Sequence, residues 1–190
     1  MAVYLHFVRH AQGIHNVSPA NLEVIDPQLT LFGEAQCADL CRLFPHHASI
    51  THLIASPMRR TLQTCLLSFA PAAASGAVVT ALPELQEVST LNCDIGRDIQ
   101  VIRQDKEFEG KVNFDLVSDG WNVKIPGTPW APQVGALEAR AAVARRWLRQ
   151  KARDSRTASP DTNIHFAVVS HGAMLHYLTQ DWSELKMGCE

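Results

Sequence analysis

The chain contains 190 residues, a length typical of a single domain. Hydrophobic residues make up 46% and charged residues 19%, a composition that excludes a disordered or fibrous protein. The formal net charge is -2, so no overall positive field favours nucleic acid or an acidic membrane surface as a partner. Any anion-binding site is therefore expected to be local.

The sequence contains no recognisable membrane or export signal. No apolar run approaches the roughly 20 residues of a membrane-spanning helix, and the first residues lack the basic and apolar blocks of a secretory signal. Five cysteines are present without a CxxC pair, which favours buried thiols over disulfides or metal ligands. We therefore expect a cytoplasmic protein without a membrane partner.

Short apolar and β-branched stretches predict four strands that alternate with helices. The predicted strands cover residues 3–8, 52–55, 77–82 and 164–169. The first predicted helix begins after Thr30 as its N-cap and stops at Pro45. Ser56 is expected to cap a second helix over 58–69, and a last helix is expected from 173 to about 185.

The stretch 88–133 mixes charges, glycines and prolines without a sustained period. We predict that it is a lid or insertion within a single domain of residues 1–190. The helix that follows carries four apolar residues on one face, which are Leu137, Ala141, Ala144 and Leu148. Its arginines, Arg140 among them, are predicted to form a solvated basic face.

Strands that alternate with helices predict an α/β fold, a three-layer sandwich in which helices flank a mostly parallel central sheet. Ligands of such sheets bind at the carboxyl ends of the strands. Arg9-His10 follows the first predicted strand and Ser170-His171 follows the fourth. These two pairs are therefore expected to belong to one site.

The residue types at these strand ends suit phosphate chemistry. A phosphate monoester needs cationic donors around its oxygens, and the planar guanidinium of arginine provides them at any relevant pH. A neutral imidazole can attack phosphorus, while an acid protonates the leaving oxygen. The candidates are Arg9, His10, Arg60 and His171.

Five ordered sequence elements resemble one known family. Residues 9–16, R-H-A-Q-G-I-H-N, resemble its R-H-G-[EQ]-x-x-x-N signature, and residues 26–36 resemble its D-x-x-L-T-x-x-G-x-x-Q element. Residues 56–64 are similar to S-P-L-x-R-[AT]-x-x-T, residues 85–87 to L-x-E, and residues 170–172 to the second-histidine motif. The family is the histidine phosphatase superfamily, and the resemblance implies a phosphoglycerate mutase-like fold. Two short stretches, P-E-L-Q-E and G-W-N, resemble the wording of its fungal phosphatase members.

The resemblance also implies roles for individual residues. His10 would be the nucleophile that becomes phosphohistidine, while Arg9, Arg60 and His171 would hold the phosphoryl oxygens. Asn16 matches the asparagine that closes the first motif and contacts the phosphate pocket. No cofactor or metal is implied, and the partner would be a small phosphorylated molecule.

Glu87 would protonate the leaving oxygen and then activate water, with Glu84 as the competitor for this role. Two positions depart from the family pattern. Ala11 replaces the usual glycine and therefore requires a negative φ. Gln12 is a recognised variant of the family's glutamate, but it removes one charge near the leaving group. Arg59 is expected to be a solvated helix residue.

We favour a phosphatase acting on a small phosphorylated metabolite, and three alternatives remain open. The first is a phosphoglycerate-type phosphomutase, although the segment after Glu87 lacks an obvious sugar-phosphate-binding copy. The second is a metal hydrolase with His10, His15 and His171 as ligands, against which the neighbouring arginines would repel a divalent cation. The third is a catalytically silent phosphate-binding module. The sequence indicates neither the substrate nor an oligomeric state.

Overall fold

A computed structural model describes residues 2–183 and contains a sheet of five parallel strands. The strands are β1 (Val3–Arg9), β2 (Ile50–Ala55), β3 (Val79–Ala81), β4 (Val112–Asn113) and β5 (Ile164–Ser170). Their spatial order is β1-β5-β2-β3-β4, and each neighbouring pair is parallel. The predicted α/β architecture is thereby confirmed, and β4 is a strand that the irregular sequence around it did not reveal.

Six α-helices accompany the sheet within the described residues. They are α1 (Leu31–Leu43), α2 (Arg59–Ser68), α3 (Ala70–Ala74), α4 (Ile99–Arg103), α5 (Val134–Ala158) and α6 (Gly172–Thr179). The predicted last helix thus ends at Thr179, and the end predicted near residue 185 lies outside the described residues. Within residues 2–183, no helix combines the length and apolarity needed to cross a membrane.

The sheet separates two hydrophobic cores, one on each face. In β5, Ala167 and Val169 belong to the core that contains α2, whereas Phe166 and Val168 belong to the core that contains α5. Alternate residues of a strand point to opposite faces, so a strand buried on both sides is apolar at every position. This packing produces the three predicted layers.

The apolar run over residues 3–8 also indicates a buried strand, and this expectation is wrong. β1 lies at the edge of the sheet, and its Tyr4 and Leu5 are 44% and 41% exposed. β5, in contrast, lies between β1 and β2 and is buried along its entire length. An apolar run indicates a strand, but it does not distinguish an edge strand from a central one.

The starts of the two helices nearest the site differ from each other. Thr30 caps α1 as predicted, because its hydroxyl oxygen accepts a hydrogen bond from the Gly33 amide at 3.0 Å. Ser56, however, does not cap α2, which begins only at Arg59. The Asp26 carboxylate accepts from the Arg59 amide instead, at 3.0 Å. The Asp26 carboxylate, distant along the chain, therefore replaces a local N-cap of α2. The Ser56 hydroxyl is left for another partner.

The segment 88–133 contributes to the core. Its Phe108, Phe114 and Trp121 are buried and join the cluster on the α2 face. The segment also supplies α4 and β4, which extends the sheet beyond β3. Its assignment as a lid stays a prediction.

Two arginines lie in surroundings that the helical pattern did not predict. The apolar stripe of α5 is buried as expected, but Arg140 is also only 3% exposed. Its guanidinium donates to the Gln86 carbonyl at 2.9 Å. Arg59 is half-buried, paired with the carboxylates of Asp105 and Glu107. Both expectations of solvated arginines are therefore wrong, because a cation with internal acceptors can be buried.

Candidate active site

The carboxyl ends of β1 and β5 bring the two predicted histidines together. Arg9 and Ser170 are register partners, and the His10 amide donates to the Ser170 carbonyl at 2.9 Å. The ring centroids of His10 and His171 are 5.1 Å apart. Residues separated by most of the chain therefore share one site, as the parallel topology requires.

His10 is held in a single neutral form. Its Nδ1 lies 2.7 Å from the Ala11 carbonyl oxygen, which can only accept, so Nδ1 carries the proton. Burial lowers the pKa of His10 well below the usual 6.5, and the charge of Arg60 lowers it further. Nε2 therefore keeps its lone pair.

Hydrogen bonds from the following helices fix the loop after His10. The Ala11 amide donates to Thr64 Oγ1 at 3.1 Å, and the Gln12 amide donates to Gln36 Oε1 at 2.9 Å. Among the described non-glycine residues, only Asp26 and Gln180 have a positive φ. The expected negative φ at Ala11 is confirmed, so its side chain causes no backbone strain.

Arg60 is fully buried, and a carboxylate that sequence analysis missed accompanies it. One guanidinium nitrogen donates to the Cys93 carbonyl at 2.7 Å. The other donates to Asp94 Oδ1 at 2.9 Å and to His171 Nδ1 at 3.1 Å. Asp94 lies in the irregular stretch 88–133, where no motif marked it.

His171 is neutral as well, and both of its ring nitrogens are occupied. A guanidinium only donates, so Nδ1 accepts from Arg60 and the single ring proton lies on Nε2. Nε2 then donates to Ser56 Oγ at 3.0 Å. Burial lowers the pKa of His171 well below 6.5, and Arg60 adds to the effect. This contact explains why Ser56 does not cap α2.

Three further residues of the first motif lie close to His10. Arg9 is exposed, and its guanidinium passes over Gly172. Asn16 is half-buried, and its Oδ1 accepts from the Gly13 amide at 3.0 Å, which closes the loop. Burial and the charge of Arg60 lower the pKa of His15 to about 4. All three thus lie near His10 and differ in exposure.

A groove of about 470 Å³ opens beside His10. Arg9 and Asn16 line it at the loop, and Phe32 and Leu40 line it on α1. The groove beside His10 therefore combines charged, polar and apolar walls.

The two candidate acids differ in their surroundings. Burial and the nearby Asp94 raise the pKa of Glu87, while Arg60 and Lys124 oppose the rise. Burial also raises the pKa of Glu84, but the cation that acts on Glu84 is Arg140. Glu87 is therefore the carboxyl whose charge interacts with the guanidinium at the centre of the site.

Lys124 is a second residue that sequence analysis missed. It is 6% exposed, and its Nζ donates to the carbonyls of Glu87 at 2.6 Å and Ser89 at 2.9 Å. Burial lowers its pKa to about 7. A lone lysine in an irregular segment, 37 residues after Glu87, carries no sequence signal of such a contact.

Two buried ring or guanidinium nitrogens of the site have no internal partner. They are Arg60 Nε and His15 Nδ1. Unpaired buried polar groups are costly and rare in native proteins. Arg60 Nε is an N–H donor that lacks an acceptor, although Asp94 already balances the charge of this guanidinium.

The described residues show no arrangement typical of a metal centre. Within residues 2–183, no group of three or more His, Cys, Asp or Glu side chains is placed to hold a metal ion. His10, His15 and His171 are therefore not arranged as a ligand set. The described cysteines, all free thiols, are Cys37, Cys41, Cys65 and Cys93.

Comparison with known proteins identifies the family. The sequence model of the histidine phosphatase superfamily, branch 1, matches residues 5–188. The chain belongs to the histidine phosphatase superfamily. This membership assigns it to the phosphoric monoester hydrolases of the histidine phosphatase type. No curated protein matches the chain.

Solved structures of several phosphatases share the fold. The ecdysone phosphate phosphatase of Bombix mori, in complex with tungstate, aligns with a TM-score of 0.61 and 14% identity over 97% of this chain and 80% of its own. A putative alpha-ribazole-5'-P phosphatase from Escherichia coli gives 0.54 and 21% identity over 94% and 78%. A phosphoserine phosphatase from Entamoeba histolytica, bound to phosphoserine, gives 0.50 and 17% over 92% and 77%.

Proposed function

We propose that this protein hydrolyses a small phosphorylated metabolite through a covalent phosphohistidine on His10. The observation that carries the proposal is the state of His10. Its Nδ1 proton is fixed on the Ala11 carbonyl and its pKa is lowered, so Nε2 presents a lone pair at neutral pH. A neutral imidazole beside a buried guanidinium is suited to attack an anionic phosphoryl group.

In the first step, the Nε2 lone pair of His10 attacks phosphorus and forms a P–N bond. The P–O bond to the leaving group breaks, and its electron pair goes to the leaving oxygen. Glu87 supplies the proton that this oxygen takes up, which its raised pKa favours. Arg9 and Arg60 stabilise the equatorial oxygens of the transferring phosphoryl group.

In the second step, water hydrolyses the phosphoenzyme. The Glu87 carboxylate accepts a proton from water, and the water oxygen forms a bond to phosphorus. The P–N bond breaks, and its electron pair returns to Nε2 of His10. Inorganic phosphate is released, and both His10 and Glu87 regain their starting protonation states.

The relatives indicate the size of the substrate. The groove beside His10 does not, because Arg9 and Asn16 line it but Arg60, Glu87 and His171 do not. The related phosphoserine phosphatase was solved with phosphoserine and with 3-phosphoglyceric acid. These observations support a small phosphorylated metabolite as the substrate of this chain.

The test is a phosphate-release assay with a panel of phosphorylated metabolites, together with trapping of the phosphoenzyme. His10→Ala should abolish turnover and labelling, because no other side chain takes up the phosphoryl group. The matched control is His46→Ala, which removes an exposed imidazole and should leave both unchanged. Full turnover of the His10 variant would refute the mechanism, and exchange of phosphate between alcohols without release would indicate a mutase.

A further inference from the structure

We propose that Lys124 is a positioning residue for proton transfer, which holds the backbone of residues 86–89 so that the Glu87 carboxyl stays beside Arg60. This inference rests on the proposed function, because it concerns the step that Glu87 performs there. Lys124 lies outside the five sequence elements that resemble the family motifs.

Lys124 contacts the loop that carries Glu87. Its Nζ donates to the carbonyls of Glu87 and Ser89, at 2.6 and 2.9 Å. Between these carbonyls, the Val88 amide donates to Glu87 Oε1 at 2.9 Å. The carboxyl is thus tied to the same short stretch of backbone that the ammonium holds, so a shift of this backbone moves the acid.

Residues 86–89 form no helix or strand of their own. Hydrogen-bond donors from other segments of the chain hold their backbone instead. The guanidinium of Arg140 reaches the carbonyls of Gln86 at 2.9 Å and Glu87 at 3.3 Å, and the Gln86 side chain donates to the Trp121 carbonyl at 2.8 Å. Since the loop lacks a hydrogen-bond ladder, each of these donors contributes directly to its position.

The charge of Lys124 is buried next to other charged groups. Burial lowers the pKa of Lys124 to about 7, and Arg140 and Arg60 lower it too, whereas Asp94 and Glu87 act in the opposite direction. An almost fully buried ammonium is costly to the fold, which makes stability a poor reason for its presence. Its positive charge in turn favours the ionised form of Glu87, against the effects of burial and Asp94.

Lysine suits this position because its ammonium carries three donors at the end of a flexible stem. Two carbonyls on one turn of backbone are therefore within reach of a single atom. Methionine has a similar length and no donor, so Lys124→Met removes the contact while it keeps most of the packing.

The test compares kcat/KM for two substrates that differ in the acidity of the leaving group, 4-nitrophenyl phosphate and phenyl phosphate. Phenolate needs protonation more than nitrophenolate does. We expect Lys124→Met to lower kcat/KM for phenyl phosphate at least tenfold more than for 4-nitrophenyl phosphate. In a Glu87→Gln background, the same substitution should cause no further loss on phenyl phosphate.

Lys111→Met is the matched control, because the exposed Lys111 also donates to a backbone carbonyl, that of Glu107 at 3.0 Å. Both rates should be unchanged in it. Retained turnover of 4-nitrophenyl phosphate shows that the Lys124 variant folds, and Lys124→Gln, which keeps one amide donor group, should recover part of the loss.

Equal slowing on both substrates, or a full additional loss in the Glu87→Gln background, would overturn the role of Lys124. If Glu87→Gln itself shows no preference between the substrates, the assigned role of Glu87 fails, and the inference fails with it. The single Glu87 variant therefore separates the failure of the proposed function from that of the inference.

Discussion

Gly33→Ala tests whether the start of α1 holds the loop that carries His10. A Cβ at Gly33 would collide with the Gln12 carbonyl oxygen and lie 3.1 and 3.2 Å from the carbonyl carbon and the amide nitrogen of Gln12. This carbonyl accepts from the Thr30 amide at 3.0 Å, and the Gln12 amide donates to Gln36. The methyl group therefore forces apart two backbone segments that are hydrogen-bonded to each other.

The magnitude follows from three contributions. Overpacking costs about 1–3 kcal/mol, and a weakened hydrogen bond costs about 1 kcal/mol. The replacement of glycine by alanine within a helix stabilises the folded protein by roughly 0.5–1 kcal/mol and offsets part of this cost. The expected net loss in the free energy of unfolding is thus about 2 kcal/mol. Because Gln12 lies two residues from His10, a displacement of about 1 Å in the loop is expected to lower kcat up to ~10²-fold.

Urea denaturation and phosphate release measure the two effects. Gly135→Ala is the matched control, since Gly135 lies in α5 with open space around its Cβ position. It should stabilise the protein by roughly 0.5–1 kcal/mol and leave kcat unchanged. A Gly33→Ala protein as stable and active as the parent would show that the close approach of α1 to the loop after β1 does not matter.

Three further predictions concern burial and charge. Gly96→Ala should destabilise the protein by about 1–3 kcal/mol in urea denaturation, because its methyl would meet the fully buried ring of Trp121; an unchanged midpoint would contradict this packing. His171→Ala removes the ring that accepts from the buried Arg60 guanidinium and should, by letting Arg60 shift, lower kcat/KM for 4-nitrophenyl phosphate up to ~10²-fold; an unchanged kcat/KM would argue against this positioning of Arg60. Burial raises the pKa of Asp26 from 3.8 to about 6, so the folded protein binds this proton more tightly than the unfolded chain does. The resulting destabilisation is absent below pH 3.8, grows as the pH rises and reaches about 3 kcal/mol above pH 6. Between pH 4 and pH 7, the unfolding free energy of Asp26→Asn should therefore rise relative to that of the parent, and a constant difference would contradict the shift.

Much of the site could be predicted from the sequence because its residues lie in short motifs, even though the contacts between these motifs join distant parts of the chain. The loop after β1 is surrounded by partners from the recognisable elements, as Thr64 and Gln36 show with the amides of Ala11 and Gln12. The alternation of strands and helices implies a parallel sheet, and a parallel sheet brings its strand ends to one edge. The juxtaposition of His10 and His171 follows from that topology.

Other features were decided only by tertiary packing. The position of β1 at the sheet edge depends on which strands become neighbours, which an apolar run does not specify. The partners of Arg60 and Glu87 at Asp94 and Lys124 depend on how an irregular segment folds back onto the sheet. Sequence periodicity reports which face of an element is apolar, whereas the hydrogen-bond partner of a buried charge depends on distances between segments that are far apart along the chain. For this reason the sequence determined the fold class and the meeting of His10 with His171, and the tertiary structure decided what surrounds them.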